Sequence, residues 1–135
     1  MATYKELFMR YMDREGVKYQ DRNEFCVKVT YTGDNLKSIP VLVFFDEDGD
    51  PIVQFKCWDI ANFKNKEDAG IRACNEANTK YRWVKFNIDS DLDVVASIDA
   101  YIDAGTCGQE CLSLVKRVVN ITDGAYPIFA KALWA

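Results

Sequence analysis

The sequence predicts an α+β fold: a five-stranded antiparallel sheet with flanking helices, in the order α-βββ-α-ββ-α(α). Two patterns predict this class. Apolar residues recur at helical spacing in some stretches and alternate with polar residues in others. A chain of 135 residues, 49% hydrophobic and 13% aromatic, can bury one core. We therefore expect residues 1–135 to form a single domain without repeats or linkers.

The first helix is expected over residues 2–15, because apolar side chains recur there every three or four positions. These side chains are Leu7, Phe8, Tyr11 and Met12. Gly16 follows at the position where a helix commonly ends. The segment is charged and amphipathic, unlike a signal peptide.

Three antiparallel strands are expected next. Residues 24–32 and 52–58 alternate in period two, which predicts strands with one buried face. Between them, residues 39–45 (IPVLVFF) are apolar on both faces, which predicts a strand covered on both sides. Pro40 cannot donate to a strand ladder, so it should lie at the start of its strand or on an edge. Residues 47–50 form the turn into the third strand.

Asn65 is expected to cap a second helix that runs to about Asn78. Its inner side should carry Ile71, Ala73, Cys74 and Ala77. Residues 81–88 and 92–98 alternate as two further strands, joined by a polar turn at residues 89–91.

The last helical region should begin at a capping box formed by Thr106 and Gln109. Its apolar side comprises Cys111, Leu114, Val115, Val118, Val119 and Thr122. Gly124 and Pro127 interrupt this pattern, which predicts a helix that is kinked or split before its end.

Composition excludes several functions. The net charge of −4 disfavours binding to nucleic acid, which depends on basic residues. No stretch approaches the roughly 20 apolar residues of a membrane span, so we expect no membrane partner and a cytoplasmic location. The chain has no histidine, which removes the commonest general base and transition-metal ligand. The odd number of cysteines, five, indicates reduced and mostly buried thiols.

Four weaker patterns each have a simpler interpretation. Residues 46–50 and residues 89–93 are acidic, but neither stretch places glycine and glutamate as a calcium loop requires, so solvated turns are favoured. Cys107 and Cys111 lie one turn apart at a helix start and could form a redox pair, although packing is favoured. Residues 80–86 mix basic and aromatic side chains, as some RNA-binding strands do, but alternation should place half of them in the core, which is favoured. The many carboxylates show no spacing that selects a catalytic pair.

Three segments carry a family resemblance: CNEANTKYRWVKFNID (residues 74–89), DVVASIDAYID (93–103) and AYPIFAKALW (125–134). They resemble the YbjN family of small bacterial proteins, described as sensory transduction regulators. The matching positions are Asn75, Asn78, Arg82, Trp83, Lys85, Phe86, Tyr126, Pro127 and Trp134. The resemblance implies a fold like that of type III secretion chaperones, which are small acidic homodimers. It supplies no catalytic residue, and Cys107 and Cys111 are not an expected family feature.

We therefore expect a non-enzymatic regulatory domain, a homodimer that binds an unknown partner polypeptide without a cofactor or metal. The candidate partner-binding surface comprises Trp58, Tyr81 and Trp83. An alternative is a regulator that binds a small effector in a pocket between the sheet and a helix. The polar contacts of that pocket would be Asn75, Asn78 and Arg82.

Overall fold

The computed structural model describes all of residues 1–135, as three helices and six strands. The helices are α1 (Tyr4–Glu15), α2 (Glu67–Lys80) and α3 (Cys107–Trp134). The strands are β1 (Gln20–Asn23), β2 (Cys26–Tyr31), β3 (Ile39–Phe45), β4 (Ile52–Cys57), β5 (Lys85–Ile88) and β6 (Val94–Tyr101). The expected α+β class, antiparallel sheet and flanking helices are confirmed.

The sheet has six strands, not the five that the sequence predicts, in the spatial order β1-β2-β3-β4-β6-β5. All neighbouring strands are antiparallel. The additional strand is β1, whose sequence QDRN contains no apolar residue and is fully exposed. It pairs with β2 at the edge of the sheet, and period-two hydrophobicity cannot reveal a strand that buries nothing.

All three helices lie on one face of the sheet. Helix α3 crosses β3, β4 and β6, while α1 and α2 pack along its two sides. Aromatic contacts mark the two ends of this interface. The rings of Phe8 in α1 and Phe45 in β3 are 5.9 Å apart, and those of Phe86 in β5 and Phe129 in α3 are 5.4 Å apart. The core therefore lies between the helices and this face.

The opposite face of the sheet carries no helix, which corrects the expectation that β3 is covered on both sides. Every second residue of β3, from Ile39 to Phe45, is buried against the helices. The alternate residues Pro40, Leu42 and Phe44 are only partly buried. Neighbouring side chains of the same face, and not a helix, bury them in part. Strand β3 is therefore apolar on both faces, but one of these faces is open to solvent.

Helix α1 begins with a side-chain cap, whereas helix α2 begins without one. Thr3 and Glu6 form a capping box at α1, and Gly16 ends that helix with a φ of 69°. At α2 the expected Asn65 cap is wrong, because the helix begins after Lys66 without a side-chain cap. Asn65 instead occupies the left-handed region, with a φ of 67°.

On the inner side of α2, Ala73, Cys74 and Ala77 are buried as expected. Ile71 is not, since 52% of its surface is exposed. Gly70 takes the inner position instead, where a Cβ would come within 2.7 Å of the Phe63 ring.

Strand β5 is shorter than the sequence predicts, because it begins at Lys85 rather than at Tyr81. Trp83 has a φ of 78°, which an extended strand cannot accommodate. Tyr81 and Trp83 therefore lie in the connection between α2 and β5. The hairpin that joins β5 to β6 is present as expected.

Helix α3 runs without interruption for 28 residues, so the expected kink or split at Gly124 and Pro127 is wrong. Pro127 has no N–H to donate to the carbonyl of Asp123, one turn earlier. The Nδ2 of Asn35 donates to that carbonyl instead, at 2.9 Å. The freed acceptor is thus satisfied from a loop, and the helix continues.

The expected capping box at the start of α3 is also wrong. Thr106 does hold the N-cap position, but its side chain caps no backbone N–H. Its hydroxyl donates to the carboxylate of Glu110 instead.

Candidate functional site

The uncovered face of the sheet, called the open face below, combines apolar and basic side chains. Strand pairing sets its outward residues, because side chains alternate along each strand. On β1 they are Gln20 and Arg22, and on the other strands they are Cys26, Lys28, Thr30, Pro40, Leu42, Phe44, Ile52, Gln54, Lys56, Trp58, Lys85, Asn87, Val95, Ser97, Asp99 and Tyr101. Most soluble antiparallel sheets present a polar outer face. The open face instead carries several large apolar groups.

Trp58 lies on the open face directly after β4. Its ring meets the ring of Phe44 edge-on, with centroids 6.0 Å apart. The ammonium of Lys56 lies 5.3 Å from the Trp58 ring centroid, within the range of a cation–π contact. A hollow of about 170 Å³ adjoins Trp58. It is lined by Arg22, Lys28, Pro40, Leu42, Trp58 and Asp59.

Tyr81 and Trp83 lie away from Trp58. Tyr81 ends α2, and Trp83 is 65% exposed with the guanidinium of Arg117 in α3 lying 5.0 Å from its ring centroid. Because α3 packs on the covered face, these two side chains adjoin the helical layer. The structure therefore does not bring the three aromatic residues into one surface.

Of the polar side chains expected in an effector pocket, Asn75 and Asn78 line one hollow between α2 and β5, and Arg82 lies outside it. Asn78 spans α2 and β5: its Nδ2 donates to the carbonyl of Phe86 at 3.0 Å and its Oδ1 accepts the N–H of Phe86 at 2.8 Å. Both ends of this amide are therefore used in fixing the strand. Asn75 shares a hollow of about 470 Å³ with Asn78, and Arg82 is exposed outside it.

The acidic segments form turns. In the β5–β6 hairpin, oxygens of Asp89, Asp91 and Asp93 lie within 4.8 Å of one another. The Asp89 carboxylate accepts the backbone N–H groups of Asp91 and Asp93. The Nδ2 of Asn62 donates to the Asp93 carboxylate at 2.7 Å. These bonds account for the position of Asp89 and Asp93 in the turn.

The five thiols are buried. Cys107 and Cys111 are 1% and 0% exposed, between α1 and α3, and the Cys107 Sγ donates to the carbonyl of Tyr4. A hydrogen bond with Cys107, together with burial, raises the pKa of Cys111. Burial also raises the pKa of Cys57 to about 12 and that of Cys74 to about 11.

A cleft that the sequence did not indicate lies between the start of α1 and the ends of β2 and β3. Its volume is about 850 Å³. Tyr4, Leu7, Phe25 and Phe45 provide its apolar wall, and Glu24 also lines it. The period-two alternation of β2 and β4 correctly predicted that Lys28 and Lys56 lie on the side of the strand away from the core. Only the pairing of these strands with β3 shows that Leu42 lies between the two lysines.

Comparison with known proteins identifies the class to which this sheet-and-helix architecture belongs. The family model described as "putative bacterial sensory transduction regulator" matches residues 5–130. The chain therefore belongs to the YbjN family. No curated protein sequence matches it.

A solved structure supports the same fold. The crystal structure of YbjN, "a putative transcription regulator from E. coli", is similar to this chain with a TM-score of 0.63. The similarity covers 87% of this chain and 84% of the other at 10% sequence identity. None of the helices has the length and apolar content needed to cross a membrane.

Proposed function

We propose that this chain is a non-enzymatic regulatory domain that binds a partner polypeptide on the open face of its sheet. One observation carries the proposal. Leu42 and Phe44 on β3 and Trp58 directly after β4 lie together, each partly exposed, and no helix covers them. A contiguous apolar patch on a surface is typical of a protein–protein contact, and aromatic side chains contribute strongly to binding there.

The chemistry of the remaining side chains supports a role without catalysis. The chain has no histidine to act as a general base. Burial raises the pKa of Cys57 and Cys74, which disfavours the thiolate that a nucleophile needs. The regulatory part of the proposal rests on the description of the family.

We also propose that the chain is a homodimer whose interface lies outside the open face. If two copies met through this face about a twofold axis, the same patch would face itself. With the axis at the centre of the face, the lysines Lys28, Lys56 and Lys85 of one copy would lie close to those of the other, and like charges in contact are unfavourable. The open face would therefore stay free for a different polypeptide.

The test is to replace Phe44 with serine, which removes apolar area from the open face without changing charge. The control is Ile71→Ser, which makes the same change at an exposed position of α2. Polypeptides that co-purify with the tagged wild-type chain are quantified by mass spectrometry. We expect Phe44→Ser to reduce their recovery roughly tenfold, as loss of a central interface residue does, and Ile71→Ser to retain them.

Melting temperature and light-scattering mass are measured for all three proteins. We expect the same dimeric mass in each, with both variants folded. Equal recovery of polypeptides by wild type and Phe44→Ser would contradict the proposed function. A monomeric mass for Phe44→Ser alone would instead identify the open face as the surface for self-association.

A small effector remains the second candidate function, because the cleft beside α1 has the volume of a ligand site, about 850 Å³. It lies between a helix and the sheet, as that alternative requires, but Asn75, Asn78 and Arg82 are not part of it. Binding there would raise the melting temperature by mass action, which a panel of metabolites would detect.

A further inference from the structure

Three lysines of the open face lie in one row across the sheet. Strand pairing places Lys28 opposite Leu42, Leu42 opposite Lys56, Lys56 opposite Ser97 and Ser97 opposite Lys85. The row therefore crosses five neighbouring strands from β2 to β5, with a lysine on every second strand. We call Lys28, Lys56 and Lys85 the lysine row.

No carboxylate forms an ion pair with the lysine row. The ion pairs of the molecule join Lys5 to Asp21 and Arg10 to Glu6, so none involves this face. Asp99, an acidic side chain of the open face, accepts a hydrogen bond from Gln54 at 2.9 Å. The open face is thus basic and partly apolar, although the whole chain has a net charge of −4.

We propose that the open face binds an acidic amphipathic helix of a partner protein, laid across the strands so that its carboxylates meet the lysine row. This inference rests on the proposed function, because it specifies the chemistry of the polypeptide that the open face would take. Charge complementarity selects this occupant: a basic row that forms no ion pair and lies between apolar side chains fits an anionic and apolar ligand.

The spacing of the lysine row favours a helix. Neighbouring strands are roughly 4.8 Å apart, so successive lysines are separated by about 10 Å. Seven residues of an α-helix rise about 10.5 Å and return to nearly the same side, so acidic residues one heptad apart would match the row. In an extended chain about three residues cover that distance, but the third side chain points away.

The residues between the lysines specify the rest of the helix. Leu42 lies between Lys28 and Lys56, with Phe44 and Trp58 beside it. An apolar residue midway between the acidic residues that meet Lys28 and Lys56 would therefore face Leu42, whereas the midpoint between Lys56 and Lys85 would face Ser97. The flexible lysine side chains can follow the twist that the sheet accumulates from strand to strand.

Other anionic ligands fit less well. Three lysines in a chain of net negative charge release few counterions from nucleic acid, whose phosphates also lie much closer together than about 10 Å. An anionic membrane surface would attract the same charges, but only as part of a larger basic patch. A second copy of the chain that packed with a twofold axis at the centre of this face would bring the two lysine rows together.

The test uses a fluorescein-labelled helical peptide of about 22 residues, long enough to form a helix in an alanine-rich background. It carries three glutamates one heptad apart, with a leucine midway between each pair. A control peptide contains the same residues in an order that spreads the glutamates around the helix. Binding to the full chain is measured by fluorescence anisotropy at low and high salt.

The row variant replaces all three lysines of the row with glutamate. The control variant makes the same replacement at Lys64, Lys116 and Lys131, which are exposed and lie outside the open face. Both variants therefore change the net charge equally. If circular dichroism shows that the row variant is unfolded, lysine-to-glutamine replacements at the same positions take its place.

We expect the peptide to bind the wild type and the control variant with dissociation constants within about twofold of each other, because their open faces are the same. The row variant should bind at least roughly tenfold more weakly, and high salt should weaken the wild-type complex. Equal binding by the row variant and the wild type, or equal binding of the two peptides, would overturn the inference.

Two parallel titrations identify the other ligand classes. A single-stranded oligonucleotide and phosphatidylserine vesicles are tested with the same variants. Binding of either that depends on the row, while the acidic peptide does not bind, would also overturn the inference. The proposed function would still stand in these cases if Phe44→Ser loses the polypeptides captured by the wild type.

Discussion

Asp123 holds the loop between β2 and β3 against α3. Its carboxylate accepts the backbone N–H groups of Asp34, Asn35 and Leu36 at 2.8 to 2.9 Å. Gly33 completes the contact, because a Cβ at that position would overlap the Asp123 carboxylate. Partial burial opposes ionisation, but the three N–H donors outweigh it, so the pKa of Asp123 lies below its ordinary value.

The lowered pKa of Asp123 predicts a stability that is lost in acid. A carboxylate with a folded-state pKa below its unfolded value stabilises the fold above the unfolded value, near ~4. That contribution disappears as pH falls through the folded-state pKa. We expect Asp123→Asn to lower the free energy of unfolding at pH ~7 by about 1–2 kcal/mol, measured by urea denaturation.

The difference between Asp123→Asn and the wild type should shrink as the urea series proceeds to pH ~3. Asp48→Asn is the control, because that carboxylate lies exposed in the β3–β4 turn and accepts no hydrogen bond. Its effect at neutral pH should stay within about 0.5 kcal/mol. A deficit in Asp123→Asn that is as large in acid as at neutral pH would exclude the charge as its cause.

The hydrogen bond that keeps α3 continuous at Pro127 could be predicted from the sequence only in part. The sequence correctly indicates that Pro127 removes a helical hydrogen bond. It cannot indicate that Asn35, far away along the chain, supplies the missing donor and keeps α3 continuous. Gly16 was predictable because a helix end is a local feature, whereas the contact between Asn35 and Asp123 depends on tertiary structure.

At the scale of elements, α1 and α3 approach closely at Gly108. A Cβ at Gly108 would overlap the Cβ of Tyr11 in α1, an atom fixed to the backbone. Gly124, in the same helix, is exposed, and a Cβ there would lie 3.2 Å from the hydroxyl of Tyr81. That hydroxyl is at the end of a long side chain and can move.

The two glycines therefore predict opposite effects of the same substitution. Alanine is favoured over glycine within a helix by about 1 kcal/mol. At Gly108, overpacking against α1 should cost about 1–3 kcal/mol and outweigh this gain, so Gly108→Ala should lower the melting temperature. Gly124→Ala should leave it unchanged or raise it. A more stable Gly108→Ala would show that the two helices are not in close contact there.

The elements with a clear hydrophobic period were predictable. Helix α1 and strands β2 and β4 follow their patterns closely, because each buries one regular face. Strand β1 buries nothing and gives no signal. The fourth predicted strand, residues 81–88, alternates in sequence from its first residue, but Trp83 adopts a positive φ that the residue type does not indicate, so the strand begins only at Lys85.

At the scale of the whole molecule, the open face depends on information that a local pattern does not contain. The apolar pattern of β3 is compatible with a strand covered on one side or on both. Which side stays open depends on the number of helices and on where they pack. The lysine row could not be predicted either, because it depends on the register of strands β2 to β6. That register pairs residues that are far apart in sequence.

The separation of the aromatic residues follows from the same cause. Trp58 was predicted to share a binding surface with Tyr81 and Trp83 from residue type and exposure alone. The covered face receives α3, whose Arg117 lies over Trp83, while Trp58 stays on the open side. Only the tertiary arrangement separates an aromatic residue that borders the helices from one on the open sheet.

The most direct test of the open face as a binding surface is an amide NMR titration of the ¹⁵N-labelled chain with the acidic helical peptide. We predict chemical-shift changes centred on Lys28, Leu42, Lys56, Ser97 and Lys85, with little change in α1 and α2. Chemical-shift changes confined to the helical layer or to the cleft beside α1, with the lysine row unaffected, would contradict binding on the open face.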